Sequence, residues 1–105
     1  MTRKAYVYKL KPGMKEEYRK RHDNIWPELS RQMTKKGIHN YTIWFYDNNL
    51  FAYYELDKDA FAVPSTEEEI QLESRWAEHT GDLIEAVTDP ETGEALELEC
   101  VFFHE

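Results

Sequence analysis

Pro27 falls in the middle of a stretch that otherwise reads as one long amphipathic helix. Over residues 14–36 apolar or aromatic side chains return every three or four positions: Tyr18, His22, Ile25 or Trp26, Leu29 and Met33. A proline inside a helix removes a backbone hydrogen bond and clashes with the carbonyl four residues back, here that of Asp23, at a cost of about 3 kcal/mol. In the first turn of a helix the same residue costs little. The sequence therefore predicts two helical pieces with a break over residues 23–26, and His22 at the end of the first, directed toward the sheet. A helix C-terminus favours an imidazolium, and a break that frees backbone groups beside a titratable ring is one way to build a site. A core histidine beside an ordinary kink is the plainer reading, and spacing does not separate the two.

The flanking segments supply the rest of the fold. Residues 4–10, "KAYVYKL", are rich in strand formers and end at "KPG". Gly37 stands where a left-handed residue commonly stops a helix. Residues 38–46 and 50–56 read as two strands joined by the turn "DNN", and a loop follows. Thr66 and Glu69 have capping-box spacing. They open a second helix that carries on through "DLIEA", with Leu72, Trp76, His79 or Thr80, and Leu83 on its stripe. "TDPETGE" reads as a turn and residues 96–104 as the last strand. The order βαββαβ over a single domain, residues 1–105, predicts an α+β, ferredoxin-like fold. Its four-stranded antiparallel sheet carries both helices on one face.

Neither face of that sheet is polar. In the strand 38–46, strict alternation puts His39, Tyr41, Ile43 and Phe45 on one side and Ile38, Asn40, Thr42 and Trp44 on the other. Tyr6, Tyr8 and Leu10 oppose Ala5 and Val7, and Val101 and Phe103 oppose Cys100 and Phe102. Two helices cover only one face, so a homodimer packed through its sheets is expected. The formal charge of −8 argues against nucleic acid and against an anionic membrane surface. The N-terminus has neither a signal-peptide pattern nor an apolar run long enough for a span. Cys100 is the only cysteine, which excludes an intrachain disulfide and fits a cytoplasmic protein. No HExxH, CxxC or paired carboxylate–histidine spacing is present, so no metal is expected.

The stretches "RKAYVYKLKPG", "EEYRKRHDNIWPEL", "GIHNYTIW", "RWAEHTGDLIE" and "CVFFH" span nearly the whole chain. In that order they resemble the L-rhamnose mutarotase family. The resemblance implies a small dimeric enzyme of the α+β barrel type, without metal or cofactor, that interconverts the α and β anomers of L-rhamnose. It also implies His22 as proton donor and Tyr18, Tyr41 and Trp76 as sugar contacts. Ala77 departs from the pattern, because the family usually has a second tryptophan there; one apolar wall is then expected to be missing and the sugar preference to differ.

Those residue types suit the chemistry. Mutarotation moves one proton off the anomeric hydroxyl and one onto the ring oxygen, and a well-placed acid or base contributes about 10²–10⁴-fold. Histidine titrates nearest neutrality and serves in both directions. Tyrosines bond sugar hydroxyls, and tryptophan stacks on the apolar face of the ring. Read without the resemblance, the same aromatics are ordinary core residues. His39 is either the complementary base or structural, His79 is a candidate for the pocket mouth, and His104 and Cys100 read as structural. The alternatives are a mutarotase for another monosaccharide, a sugar-binding module, or an oxygenase on the same fold. A haem-dependent oxygenase would need an axial ligand such as His22 or His79.

Overall fold

The computed structural model describes residues 1–87, 91 and 95–105. Helix α1 (Lys15–Asp23) and helix α2 (Pro27–Lys35) replace the single helix that periodicity alone would draw, and the break falls where Pro27 requires it. Pro27 occupies the first turn of α2, and Trp26 before it is extended (φ −63°, ψ 128°), the conformation a following proline favours. The freed groups are used locally. The Ile25 amide donates to the His22 carbonyl, and the Asn24 side-chain amide donates to that of Lys20.

The sheet order is β2 (Ile38–Tyr46), β3 (Asn49–Leu56), β1 (Thr2–Leu10) and β4 (Ile84–Val87), and β5 (Leu96–Glu97) also pairs with β1. All pairings are antiparallel. Asp47 and Asn48 both have positive φ, as a two-residue hairpin turn with the native twist demands. A short helix, α3 (Lys58–Phe61), lies in the expected loop, with Asp57 as its cap. Helix α4 (Glu67–Gly81) begins with the predicted reciprocal bonds between Thr66 and Glu69.

Two expectations fail at the C-terminal end. The second helix stops at Gly81, and "IEAV" is strand β4 rather than its last turn. Leu83 sits three turns after Leu72 and satisfies the helical stripe, yet it is buried between the helix end and β1, where its carbonyl accepts from the Lys11 amide. The strand expected over 96–104 is only Leu96–Glu97, extended by one bond from the Leu98 amide to the Ala5 carbonyl. β4 and β5 thus share the outer edge of β1 end to end. The turn expected over 88–94 lies outside the described residues, Glu91 apart.

The strand-face assignment also changes. β2 and β3 slip by one residue between His39 and Thr42. The extra residue is accommodated at Asn40, whose positive φ (51°) is tolerable for asparagine and whose side chain donates to Glu55. Past this bulge the parity of β2 reverses. Ile38, opposite Leu56, lies on the helix side with Ile43 and Phe45, while His39, opposite Glu55, turns to the other face. The core lies on the helix side, where Leu10, Tyr18, Leu50 and Leu83 pack together and Leu29, Leu56 and Leu72 are buried.

Gly37 closes α2 with φ of +83°, and a Cβ there would lie 2.8 Å from the carbonyl oxygen of Asp57. Gly37→Ala should therefore cost roughly 1–3 kcal/mol, from left-handed strain and the displaced Asp57 backbone. Gly13, also at positive φ but with nothing within 4 Å, should lose less on the same change. Urea unfolding midpoints of the two variants check the order.

Candidate functional site

A cavity of about 710 Å³ opens between α1, α2, α4 and the helix side of the sheet. Its floor and back wall are apolar, with Leu29, Met33, Ile38, Ile43 and Leu50 among the lining residues. The polar aromatic groups come from three elements. Tyr18 and His22 lie one turn apart on α1, Tyr41 comes from the bulged part of β2, and Trp76 from α4. All four predicted site residues line this one space.

Their mutual geometry is tight. The Tyr18 and His22 rings stack with centroids 4.2 Å apart, and Trp76 meets His22 edge-on at 5.4 Å and 80°. The His22 Nδ1–H donates to the Tyr18 carbonyl oxygen at 3.0 Å. A carbonyl only accepts, so Nδ1 carries the proton in the neutral ring and Nε2 carries the lone pair. Burial pushes the His22 pKa down. The bond to the Tyr18 backbone and the nearby Asp23 act against this, and His79 acts with it. Desolvation thus outweighs the helix-end effect that favours an imidazolium, and His22 is a neutral base at neutral pH.

The tyrosines move the other way. Desolvation raises the pKa of Tyr18, and Tyr8 reinforces the shift: the two hydroxyls share a hydrogen bond of 2.5 Å. Desolvation likewise pushes Tyr41 up to about 12, with Tyr8 and Tyr6 adding repulsion against its phenolate, although 42% of the residue stays exposed. Tyr41 stacks on Tyr54 at 5.4 Å. Both site tyrosines are therefore fixed as neutral hydroxyls, suited to hydrogen-bonding oxygen atoms.

Arg21 ties α1 to the end of α4. Its guanidinium reaches the Asp82 carboxylate at 2.7 Å, the His79 carbonyl oxygen at 2.5 Å and Glu17 at 3.0 Å, joining the ends of α1 and α4. Trp26, which sequence reasoning set on the stripe without a role, packs edge-on against Trp76 at 5.1 Å and supports it from behind. His79 packs on both indoles, at 5.4 and 5.5 Å, and does not line the cavity. His39 lies on the opposite sheet face, which removes it as the complementary base. Cys100 and His104 are exposed, so neither is part of a core. Ala77 is exposed too and is not a lining residue. Glu73, Lys15, Arg19 and Asp23 also line it; on their helices they read as solvated charge, and only the tertiary structure marks them.

A sequence profile described as L-rhamnose mutarotase matches residues 3–104. The chain belongs to the L-rhamnose mutarotase family. An L-rhamnose mutarotase of Tolumonas auensis is 36% identical over 98% of both chains, and one of Escherichia coli O157:H7 is 37% identical over 98% of both. The crystal structure of an L-rhamnose mutarotase from Formosa agariphila superposes over the full length of both chains with a TM-score of 0.78 at 28% identity. Mutarotases exchange anomers, an isomerase-class activity, and the family carries the α+β fold described above. Among the described residues no group of three or more His, Cys, Asp or Glu is arranged to hold a metal ion, and no helix is long and apolar enough to cross a membrane.

The depressed His22 pKa sets a titration and a stability slope. The His22 ring should titrate below its ordinary 6.5 in proton NMR, with the resonance assigned by its loss in His22→Gln. Between the folded value and 6.5 the unfolded chain binds more protons at this site. Stability contributed by neutral His22 is thus full above 6.5 and lost as pH falls through the folded value. A His22 midpoint at or above 6.5 would contradict the burial argument.

Proposed function

We propose that this chain interconverts the α and β anomers of L-rhamnose, with His22 as its catalytic residue and Tyr18, Tyr41 and Trp76 as sugar contacts. The observation that carries this reading is the neutral His22, whose Nδ1–H is tied to the Tyr18 carbonyl, leaving a basic Nε2 in an aromatic-lined cavity. Nε2 takes the proton of the anomeric hydroxyl while the bond from C1 to the ring oxygen breaks. The ring oxygen takes up a proton at the same end of the sugar, from a hydroxyl or a water held there. The open-chain aldehyde turns about C1–C2. Ring closure then reverses the steps on the other carbonyl face, and the His22 imidazolium returns its proton to the new anomeric oxygen. His22 is thus base in one half of the cycle and donor in the other.

The hydroxyls of Tyr18 and Tyr41 stay protonated through this cycle, because desolvation opposes their ionisation. They orient sugar oxygens and do not hold charge. Trp76, braced by Trp26, offers its indole to the C–H face of the sugar. His22→Ala should lower catalysed anomer exchange of L-rhamnose at least ~10²-fold in a folded protein, measured by saturation-transfer NMR against the buffer rate. Near-parental exchange would remove His22 from the mechanism.

A homodimer packed through the sheets completes the reading, in a cytoplasmic setting that the lone, exposed thiol of Cys100 suits. The face away from the helices carries Trp44 at 67% exposure beside Phe51, Val7 and Leu96, and Val101 and Phe102 are bare in the C-terminal segment. A second copy presenting the same face would cover this surface on both chains at once. Light scattering at micromolar concentration should give twice the chain mass, and Trp44→Glu should shift it toward one. A monomeric parent would overturn the dimer.

A further inference from the structure

The proposed chemistry uses one end of the cavity, and a carboxylate on its α4 wall is left without a task. Glu73 lies one turn before Trp76 on α4, and both line the cavity. Its Oε1 accepts from the Gln32 side-chain amide at 3.2 Å. Gln32 is buried, and its amide nitrogen also donates to the Glu69 backbone carbonyl at 3.0 Å. Both amide protons are thereby committed, one on each side, so the amide cannot turn and the carboxylate is pinned through one oxygen. Among the described residues Oε2 has no hydrogen-bond partner.

The other charged lining groups differ. Asp23 makes a loose, exposed pair with Arg19 at 3.8 Å, and Lys15 and Arg19 are cations. A monosaccharide carries oxygens all round its ring, and most of this wall is apolar. Away from Tyr18, His22 and Tyr41, an anionic acceptor held still beside an indole is what a ring hydroxyl requires. A hydrogen bond to an ionised acceptor is roughly twice as strong as a neutral one. Glu73 itself is exposed, so Oε2 is held by water until the sugar displaces it; an analogue lacking the matching hydroxyl removes that water and returns no bond.

We infer that Glu73 is a specificity-determining residue whose Oε2 accepts a hydrogen bond from one ring hydroxyl of the sugar on the side away from His22. This rests on the sugar-binding reading of the same cavity, and it assigns Glu73 to recognition and not to proton transfer.

The test separates recognition from catalysis. L-rhamnose and its 2-, 3- and 4-deoxy analogues are titrated into the parent, Glu73→Gln and Glu73→Ala by calorimetry, and anomer exchange is followed by NMR. Glu73→Gln keeps an oxygen for the Gln32 amide while replacing the free acceptor with a donor, so the link between α2 and α4 survives. The parent should bind one deoxy analogue at least about tenfold more weakly than L-rhamnose, and both variants should lose that discrimination. For L-rhamnose both variants should raise KM about tenfold and leave kcat within about threefold. A merely structural Glu73 would instead move thermal stability and all sugars together. Parental KM in both variants, or the same deoxy penalty in parent and Glu73→Ala, would overturn the assignment. A parent that binds sugar without accelerating exchange would overturn the mutarotase reading, while the binding ratios still judge Glu73; a parent that binds none of the four sugars overturns both.

Discussion

The break imposed by Pro27 is the constraint from which the site follows. A continuous helix over residues 14–36 would run straight past the end of α4 and hold His22 in mid-helix. The proline forces Trp26 into extended backbone and lets α1 and α2 take separate directions. Trp26 then turns in behind Trp76, Ile25 enters the cavity wall, and the end of α1 meets the end of α4. There Arg21 closes the contact through Asp82 and the His79 carbonyl. These groups are partly open to water, so the clamp fixes geometry more than it adds stability. What it fixes is the distance between the His22 ring and the indole of Trp76.

Two effects compete at His22, and their balance decides its chemistry. The C-terminal dipole of α1 and the nearby Asp23 favour the cation, whereas packing against Tyr18 and Trp76 removes water and favours the neutral ring. Burial wins. The same loss of water raises Tyr18 and Tyr41, so one desolvated cavity yields a neutral base and neutral hydroxyl groups together. That combination suits a reaction in which a proton leaves one oxygen of an uncharged substrate and another oxygen gains one.

Much of this was legible in the chain. Pro27, Gly37, the Asp47–Asn48 turn and the Thr66–Glu69 box act through local backbone chemistry, so sequence alone locates them. The convergence of Tyr18, His22, Tyr41 and Trp76 was readable only with the family resemblance, since each is also an ordinary core residue by spacing. Three features were hidden for physical reasons. Leu83 satisfies a helical stripe and a helix-to-strand junction equally well. β4 and β5 divide the outer edge of β1 between them, a partition set by tertiary pairing and not by local composition. Glu73 is one of several acids on α4, and only the buried amide of Gln32 distinguishes it from solvated charge.

The bulge at Asn40 was the least legible feature, and it links the two faces of the sheet. A regular strand puts residues three apart on opposite faces. Ile38 and Tyr41 are three apart, yet both line the cavity, which is possible only because one extra residue intervenes. Had β2 run regularly back from Ile43, His39 would lie against Leu56 on the helix side and Ile38 would turn outward. A second imidazole would then enter the sheet near Tyr41, and the outer face would trade a histidine for an isoleucine. The bulge therefore does two things with one residue. It sends His39 to Glu55 on the outer surface, leaving His22 as the imidazole that lines the cavity among the described residues, and it lets an apolar side chain and a cavity-lining tyrosine share the same short span of strand.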